Sequence, residues 1–368
     1  MFNEQEIVGR FTEYVKTASE TGCEGEFYER LIDDLEKLGA AVTVDDAGEK
    51  CGSNANNIYA WFEGDESIKP LIFSCHMDTV KPGKDIETII EDGMIKSKGD
   101  TILGSDDKSG ITAIMEAMKA VKDKDENHRP IQIIFTISEE GGLKGSKNLD
   151  FKRLVSDRCY VFDSSGPVGK IIVQAPAQNK ITATIKGKPA HAGIAPEKGV
   201  SAIMAGSDAI SNMRLLRIDE ETTANIGTFE AVGATNIVSP KARIIGEVRS
   251  LDREKIAVQT EHMEKCFRES AEKHGAEIEI EIEEMYDPYK FGDDEDNVIF
   301  VMEKLRSIGV DPYTASSGGG SDANVFNSKG IKAINIACGV NNAHTTDECI
   351  KVDELVKLTE LVYGMITV

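Results

Sequence analysis

SEEGG, Ser138 to Gly142, follows directly on the apolar run Ile131 to Ile137. Such a run reads as a buried strand, so the adjacent carboxylates Glu139 and Glu140 stand at a strand's carboxyl end. Open α/β sheets place their ligands in the crevice outside those ends. Adjacent side chains point in different directions, so one can bind a cation while the other handles a proton. Taken singly, a Glu-Glu pair is a solvated loop. It gains meaning because other strand ends in the chain also carry ligand-type residues.

Working outward, Pro70 opens the apolar strand Leu71 to Cys75, which runs into His76-Met77-Asp78. A His and an Asp two apart at a strand end can face one crevice, the imidazole binding a metal and the carboxylate fixing its orientation. The loop GDTILGSDDKSG, Gly99 to Gly110, leads into an apolar helix from Ile111 to Val121. Two Asp, a Lys and flanking Gly at a helix start suit anion or metal binding, although an ordinary N-cap looks much the same. The strand Cys159 to Phe162 closes on Asp163. Together, His76, Asp106 or Asp107, Glu140 and Asp163 are hard-to-borderline ligands spaced one per βα unit.

Upstream, residues 4 to 18 and 24 to 38 show helical spacing, with Gly39 as a stop, and Ala41 to Val44 and Asn57 to Phe62 read as strands. From about Asn179 the pattern changes. Strands at Lys180 to Lys186, Thr228 to Val232, Ala242 to Val248 and Ala276 to Ile282 alternate with helices at Val200 to Met213 and Arg253 to Lys273. This strand–helix–strand–strand–helix–strand order predicts a compact α+β, ferredoxin-like domain inserted into an α/β domain. The expected division is 1–178 and 288–368 for the first domain and 179–287 for the insert, with YDPYKFGDDED, Tyr286 to Asp296, as return linker. The last portion resumes α/β character: a helix Val298 to Ser307, the glycine loop SSGGGSD from Ser316 to Asp322, a strand Ile331 to Ile336, His344 in the loop beyond it, and a closing helix Val352 to Ile366.

The chain has 368 residues and a formal charge of −22, from 42 Lys and Arg against 64 Asp and Glu. A surface that acidic repels phosphate backbones and anionic membranes, so neither nucleic acid nor membrane is an expected partner. The N-terminal MFNEQEIVGRF lacks a basic n-region and apolar core. Seven cysteines without CxxC spacing read as reduced thiols of a cytoplasmic protein.

With these residues in hand, the chain resembles the M20 metallopeptidases, in particular their peptidase T (tripeptidase)-like branch. SCHMDTV, GDTILGSDDKSG, TISEEGGLKGS, VFDSSGP, GKPAHAG, GGGSDAN and the late His344 match in order over nearly the whole length. The resemblance implies a zinc-exopeptidase-like three-layer α/β/α catalytic domain and an inserted domain that makes a homodimer. It implies two divalent metal ions, zinc in the first place and Co²⁺ or Mn²⁺ as alternatives. His76 and Asp163 would hold one ion, and Glu140 and His344 the other. Asp106 would bridge them and be followed by a cis peptide, with Asp107 as the alternative bridge. Asp78 would stand behind His76, and Glu139 would be the general base. His191, in PAHAG, would stabilise the oxyanion in the partner's site; read alone it is a turn histidine. Asn236 in TNIVSP and Arg249 in EVRS would lie near substrate, and the N–H groups of Gly319, Gly320 and Ser321 would bind a substrate carboxylate.

The implied activity is hydrolysis of short peptides, as an aminopeptidase on tripeptides. The alternatives are an N-acyl amino-acid amidohydrolase or carboxypeptidase with the same metals and, in another class, a non-catalytic metal-binding assembly protein. The last would lack a base or a ligand, and none is missing. Two departures bear on specificity: Gly318 stands where tripeptidases tend to carry an Arg, and the Thr345–Glu348 segment stands where they place a basic residue. Hydrolysis is untouched by either, while peptide length is left open.

Overall fold

The structure is a computed structural model describing residues 2–368. Four strands, Ile131–Thr136, Leu71–His76, Arg158–Ser164 and Lys332–Ala337, lie side by side in that order and run parallel. Leu71–His76 and Ile131–Thr136 are buried at every position, as a parallel sheet covered on both faces requires. Ile58–Phe62 and Ala41–Val44 extend one side antiparallel, and the sheet has nine strands in all. After Leu71–His76 the chain passes to Ile131–Thr136 on one side and then to Arg158–Ser164 on the other. The strand ending in His76 therefore marks the reversal of direction where such sheets open a crevice.

The long helix Ser105–Lys124 packs on these strands close enough that a Cβ at Gly110 would lie 2.6 Å from the Phe162 carbonyl oxygen and 2.8 Å from the Cys75 sulfur. Glycine is needed there for the backbone to approach the sheet.

Contacts divide the chain into two compact units. One comprises the residues up to Val173 with Lys290–Ser316 and Ser321–Val368; the other is Gln174–Tyr289 with Ser317–Gly320. The sequence placed the divisions a few residues away, because the strand Lys170–Ala175, which crosses the first of them, was not recognised. In the second unit the long strands are ordered Thr222–Glu230, Lys241–Ser250, Ala177–Lys186 and Glu277–Tyr286, all antiparallel. In chain order that is 2-3-1-4, the ferredoxin-like arrangement. Helices Ala202–Asn212 and Arg253–His274 close its core through Ala202, Ala205, Met263 and Phe267.

The strand predicted at Thr228 to Val232 instead spans Thr222–Glu230. Its register slips between Ile226 and Thr228, and one extra residue there resets the alternation from which a strand is read. A hairpin was also missed. Thr88–Glu91 and Met94–Ser97 pair across Asp92-Gly93 and join Cys349–Lys351 and Val340–Asn341 in a small antiparallel sheet.

Candidate metal centre

His76 is the last residue of its strand and 1% exposed. Its Nδ1–H donates to the Asp78 carbonyl oxygen at 2.9 Å. Nε2 is thereby turned towards Asp106 Oδ1 at 3.1 Å and Asp163 Oδ1 at 3.6 Å. From the loop after Lys332–Ala337, His344 Nε2 reaches Glu140 Oε1 at 2.6 Å and Asp106 Oδ2 at 3.3 Å. The two oxygens of Asp106 thus face two different imidazoles. Ligand atoms of His76, Asp106 and Glu140 all lie within 4.8 Å of one another. The Asp106–Asp107 peptide is cis. Asp107 turns the other way, its Oδ2 accepting from the His76 N–H at 3.3 Å.

So many acids in a buried place perturb one another. Burial pushes Asp163 up to about 7 against the pull of His76, with Asp106 and Asp322 adding to the rise. Burial, with Asp163 and Glu140 nearby, raises Glu139 well above the usual carboxylate range. Burial also acts on Asp106, but hydrogen bonds with His344 and His76 outweigh it and hold the carboxyl below its ordinary value. Contacts with Asp106 and Glu140 raise His344 to about 10.

The turn carrying Glu139 and Glu140 is held from behind. Ile137 N–H donates to Asn57 Oδ1 (3.1 Å), and Ser138 N–H to Glu24 Oε1 (3.1 Å). Glu139 and Glu140 N–H donate to the two oxygens of Asp78, at 2.8 and 3.2 Å. Each such N–H would cost about 1–3 kcal/mol if buried unpaired, so the four bonds fix a turn in which Ser138 adopts φ 50°. Asp78 also accepts from Thr21 Oγ1 at 2.7 Å. Its carboxylate therefore serves the Glu139–Glu140 turn more than His76, whose Nδ1 lies 3.5 Å from Asp78 Oδ1 but 2.9 Å from the carbonyl. Asp78 thus stands behind His76 through its carbonyl and, at longer range, its carboxylate, while that carboxylate also holds the main-chain amides of the turn.

Peptidase family M20/M25/M40 matches residues 72–368. This chain belongs to that family. The aminopeptidase PepT of Bacillus cereus ATCC 10987 is 43% identical, with a TM-score of 0.90 over 99% of this chain and 98% of that one. A tripeptidase of Staphylococcus aureus subsp. aureus Mu50 is 38% identical, with a TM-score of 0.95 over 100% of this chain and 98% of that one. The uncharacterized protein YqjE of Bacillus subtilis (strain 168) is 43% identical over 366 residues, covering 100% of this chain and 99% of that protein. Within the M20 family the chain falls with the peptidase T-like branch, and it is a peptidase.

The donor set of this M20 chain suits divalent cations: two imidazole nitrogens and three carboxylates, no thiolate, gathered where burial makes uncompensated negative charge costly. His76, Asp106, Asp163, Glu140 and His344 are the residues that would hold them.

The second unit's expected site residues lie as follows. His191 is exposed, and its Nδ1 accepts from Gly193 N–H at 3.2 Å, which leaves the proton on Nε2. Asn236 is its neighbour, its carbonyl accepting from Ala192 N–H at 2.9 Å. Arg249 is paired with Glu247 at 3.0 Å and also reaches the Gly318 carbonyl at 3.5 Å. The glycine loop departs from expectation. Gly319 N–H donates to Ser317 Oγ (3.0 Å), Gly320 N–H to Tyr286 OH (3.1 Å) and Ser321 N–H to Asn324 Oδ1 (3.0 Å). These donors are engaged by neighbouring side chains and do not form an open carboxylate cradle.

Sequence reasoning passed over several residues that build this M20 site. Glu24 and Asn57 hold the Glu139–Glu140 turn, and Asn335 Oδ1 accepts the Asp163 N–H at 3.0 Å. Glu348 accepts from the Asp106 loop. The hairpin that borders this loop carried a readable signal: Asp-Gly between two short apolar runs marks a two-residue turn, and Asp92 and Gly93 do adopt φ 50° and 73°.

Proposed function

We propose that this M20 peptidase is a dizinc aminopeptidase that removes the N-terminal residue of short peptides, tripeptides foremost. The observation that carries the reading is Asp106: its two oxygens face His76 and His344 separately, as a carboxylate shared by two cations requires. His76 and Asp163 would hold one ion, Glu140 and His344 the other. Bound divalent cations supply Lewis-acid polarisation of the scissile carbonyl and a water of lowered pKa.

Glu139 sits beside a ligand without being one. Its carboxylate takes the proton of the attacking water and passes it to the leaving amine nitrogen. Asp78, Glu24 and Asn57 hold the backbone of that turn so that Glu139 and Glu140 keep separate directions. His191, with Nε2–H as donor, bonds the oxygen that gains charge.

The inserted domain, residues 179–287, pairs two copies into a homodimer in this reading, and His191 serves the partner's site. Support comes from an uncovered apolar face: Ile203, Met204 and Ile237 line a depression of about 640 Å³, and Val232 is 94% exposed. Five of the seven free cysteines are buried, which suits a reducing cytoplasm. No helix among the described residues is long and apolar enough to cross a membrane.

The test is metal content together with a cleavage panel. Two zinc ions per chain and release of the first residue of Ala-Ala-Ala, lost when its amino group is acetylated, support the proposal. Turnover of N-acetyl amino acids without cleavage of free-amino peptides moves the chain to the amidohydrolase reading.

A further inference from the structure

Glu348 lies four residues beyond His344 and is 1% exposed. Its Oε2 accepts from Gly104 N–H at 2.8 Å. Its Oε1 accepts from Ser105 Oγ–H at 2.6 Å and from Asp106 N–H at 3.0 Å. The three donors are consecutive residues, and the last is the one whose carboxylate faces both imidazoles.

The loop bearing His344 is itself compact. Thr345 Oγ1 donates to the Asn342 carbonyl at 2.8 Å, Asn342 Nδ2 to the Asp347 carbonyl at 3.3 Å, and Glu348 N–H to the Thr345 carbonyl at 3.1 Å. Its two stems, Val340–Asn341 and Cys349–Lys351, pair with each other, and the second pairs with Met94–Ser97. Sheet pairing thus brings the loop alongside residues 98–104, and Glu348 makes the final tie. His344 adopts φ 65° within this loop, a conformation that persists where the surroundings hold it.

We propose that Glu348 is a positioning residue: it locks the Asp106 loop to the His344 loop and so sets how tightly the cluster takes up divalent cations. The inference rests on the reading of that cluster as the cation site. A carboxylate suits the task because it offers two acceptors to three donors and has no donor of its own. Glutamine would turn an NH₂ group towards one of the N–H donors. Partners of this kind, one bond removed from the ligands, typically change metal affinity 10- to 100-fold when altered.

The experiment uses the full chain stripped with chelator, as wild type, Glu348→Ala, Glu348→Gln and Ser105→Ala. Zn²⁺ and Co²⁺ are titrated by calorimetry against a competing chelator, and melting of the stripped proteins is recorded alongside. The expected order of weakening is Glu348→Ala, then Glu348→Gln, then Ser105→Ala, from about 100-fold to under tenfold. The affinity loss should persist at temperatures where every variant is fully folded, which a merely structural role would not produce. Folded variants that bind both metals as wild type does overturn the inference and leave the proposed function standing. A wild-type chain that takes up no cation overturns the reading of the cluster, and the inference falls with it. Should Glu348→Ala not fold, Glu348→Gln and Ser105→Ala decide the question by the same measure.

Discussion

The two units are incomplete in opposite ways. In the first, four carboxylates and two imidazoles crowd the ends of parallel strands, where burial raises Asp163 and Glu139. In the second, the polar groups are mostly at the surface while Met204, Val232 and Ile237 stand uncovered on it. Excess negative charge inside is relieved by cations; excess apolar area outside is relieved by another protein surface. The difference is what the proposed reading rests on: a deficit of positive charge in one unit and of apolar cover in the other.

Chelation is the sharpest way to break the comparison. Removing divalent ions should abolish peptide hydrolysis, and Zn²⁺ or Co²⁺ should restore it; activity that survives exhaustive dialysis would leave the buried charge without a purpose. Glu139→Gln separates base from ligand. It should keep both metals by elemental analysis and lose about 10²–10⁴-fold in kcat. His191→Ala should lower kcat by about 10²–10³-fold with little change in metal content, and an unchanged kcat would detach the second unit from the chemistry. Met204→Glu puts a charge on the uncovered face and should shift the chain from dimer to monomer in sedimentation. If His191 acts across the pair, activity falls in step with dimer fraction.

How much of this was legible follows from where each residue's constraint lies. Buried parallel strands write themselves as unbroken apolar runs, so the polar residue closing each run, His76, Glu140 or Asp163, stands out in the bare string of amino acids. The Asp106 loop was legible only as Asp106 or Asp107; choosing between them, and His344 altogether, needed the family resemblance, since neither loop closes such a run. Glu24, Asn57 and Glu348 left no trace, because a lone acid or amide at a helix start or loop end is common and its partner lies 80 to 244 residues away. The glycine loop misled for a related reason. Gly319 and Gly320 show that the backbone can be approached, but only the fold shows that Ser317 and Tyr286 already do so.

The four amides from Ile137 to Glu140 lean on Asn57, Glu24 and Asp78, three side chains from three earlier stretches of chain. The placing of Glu139 is therefore a joint product of the first 140 residues. A shortened version lacking the helix Gly25–Leu38 and the turn before it would keep His76, Asp106, Glu140, Asp163 and His344, yet it would lose the Glu24 anchor of the Ser138 amide and the Thr21 bond that steadies Asp78.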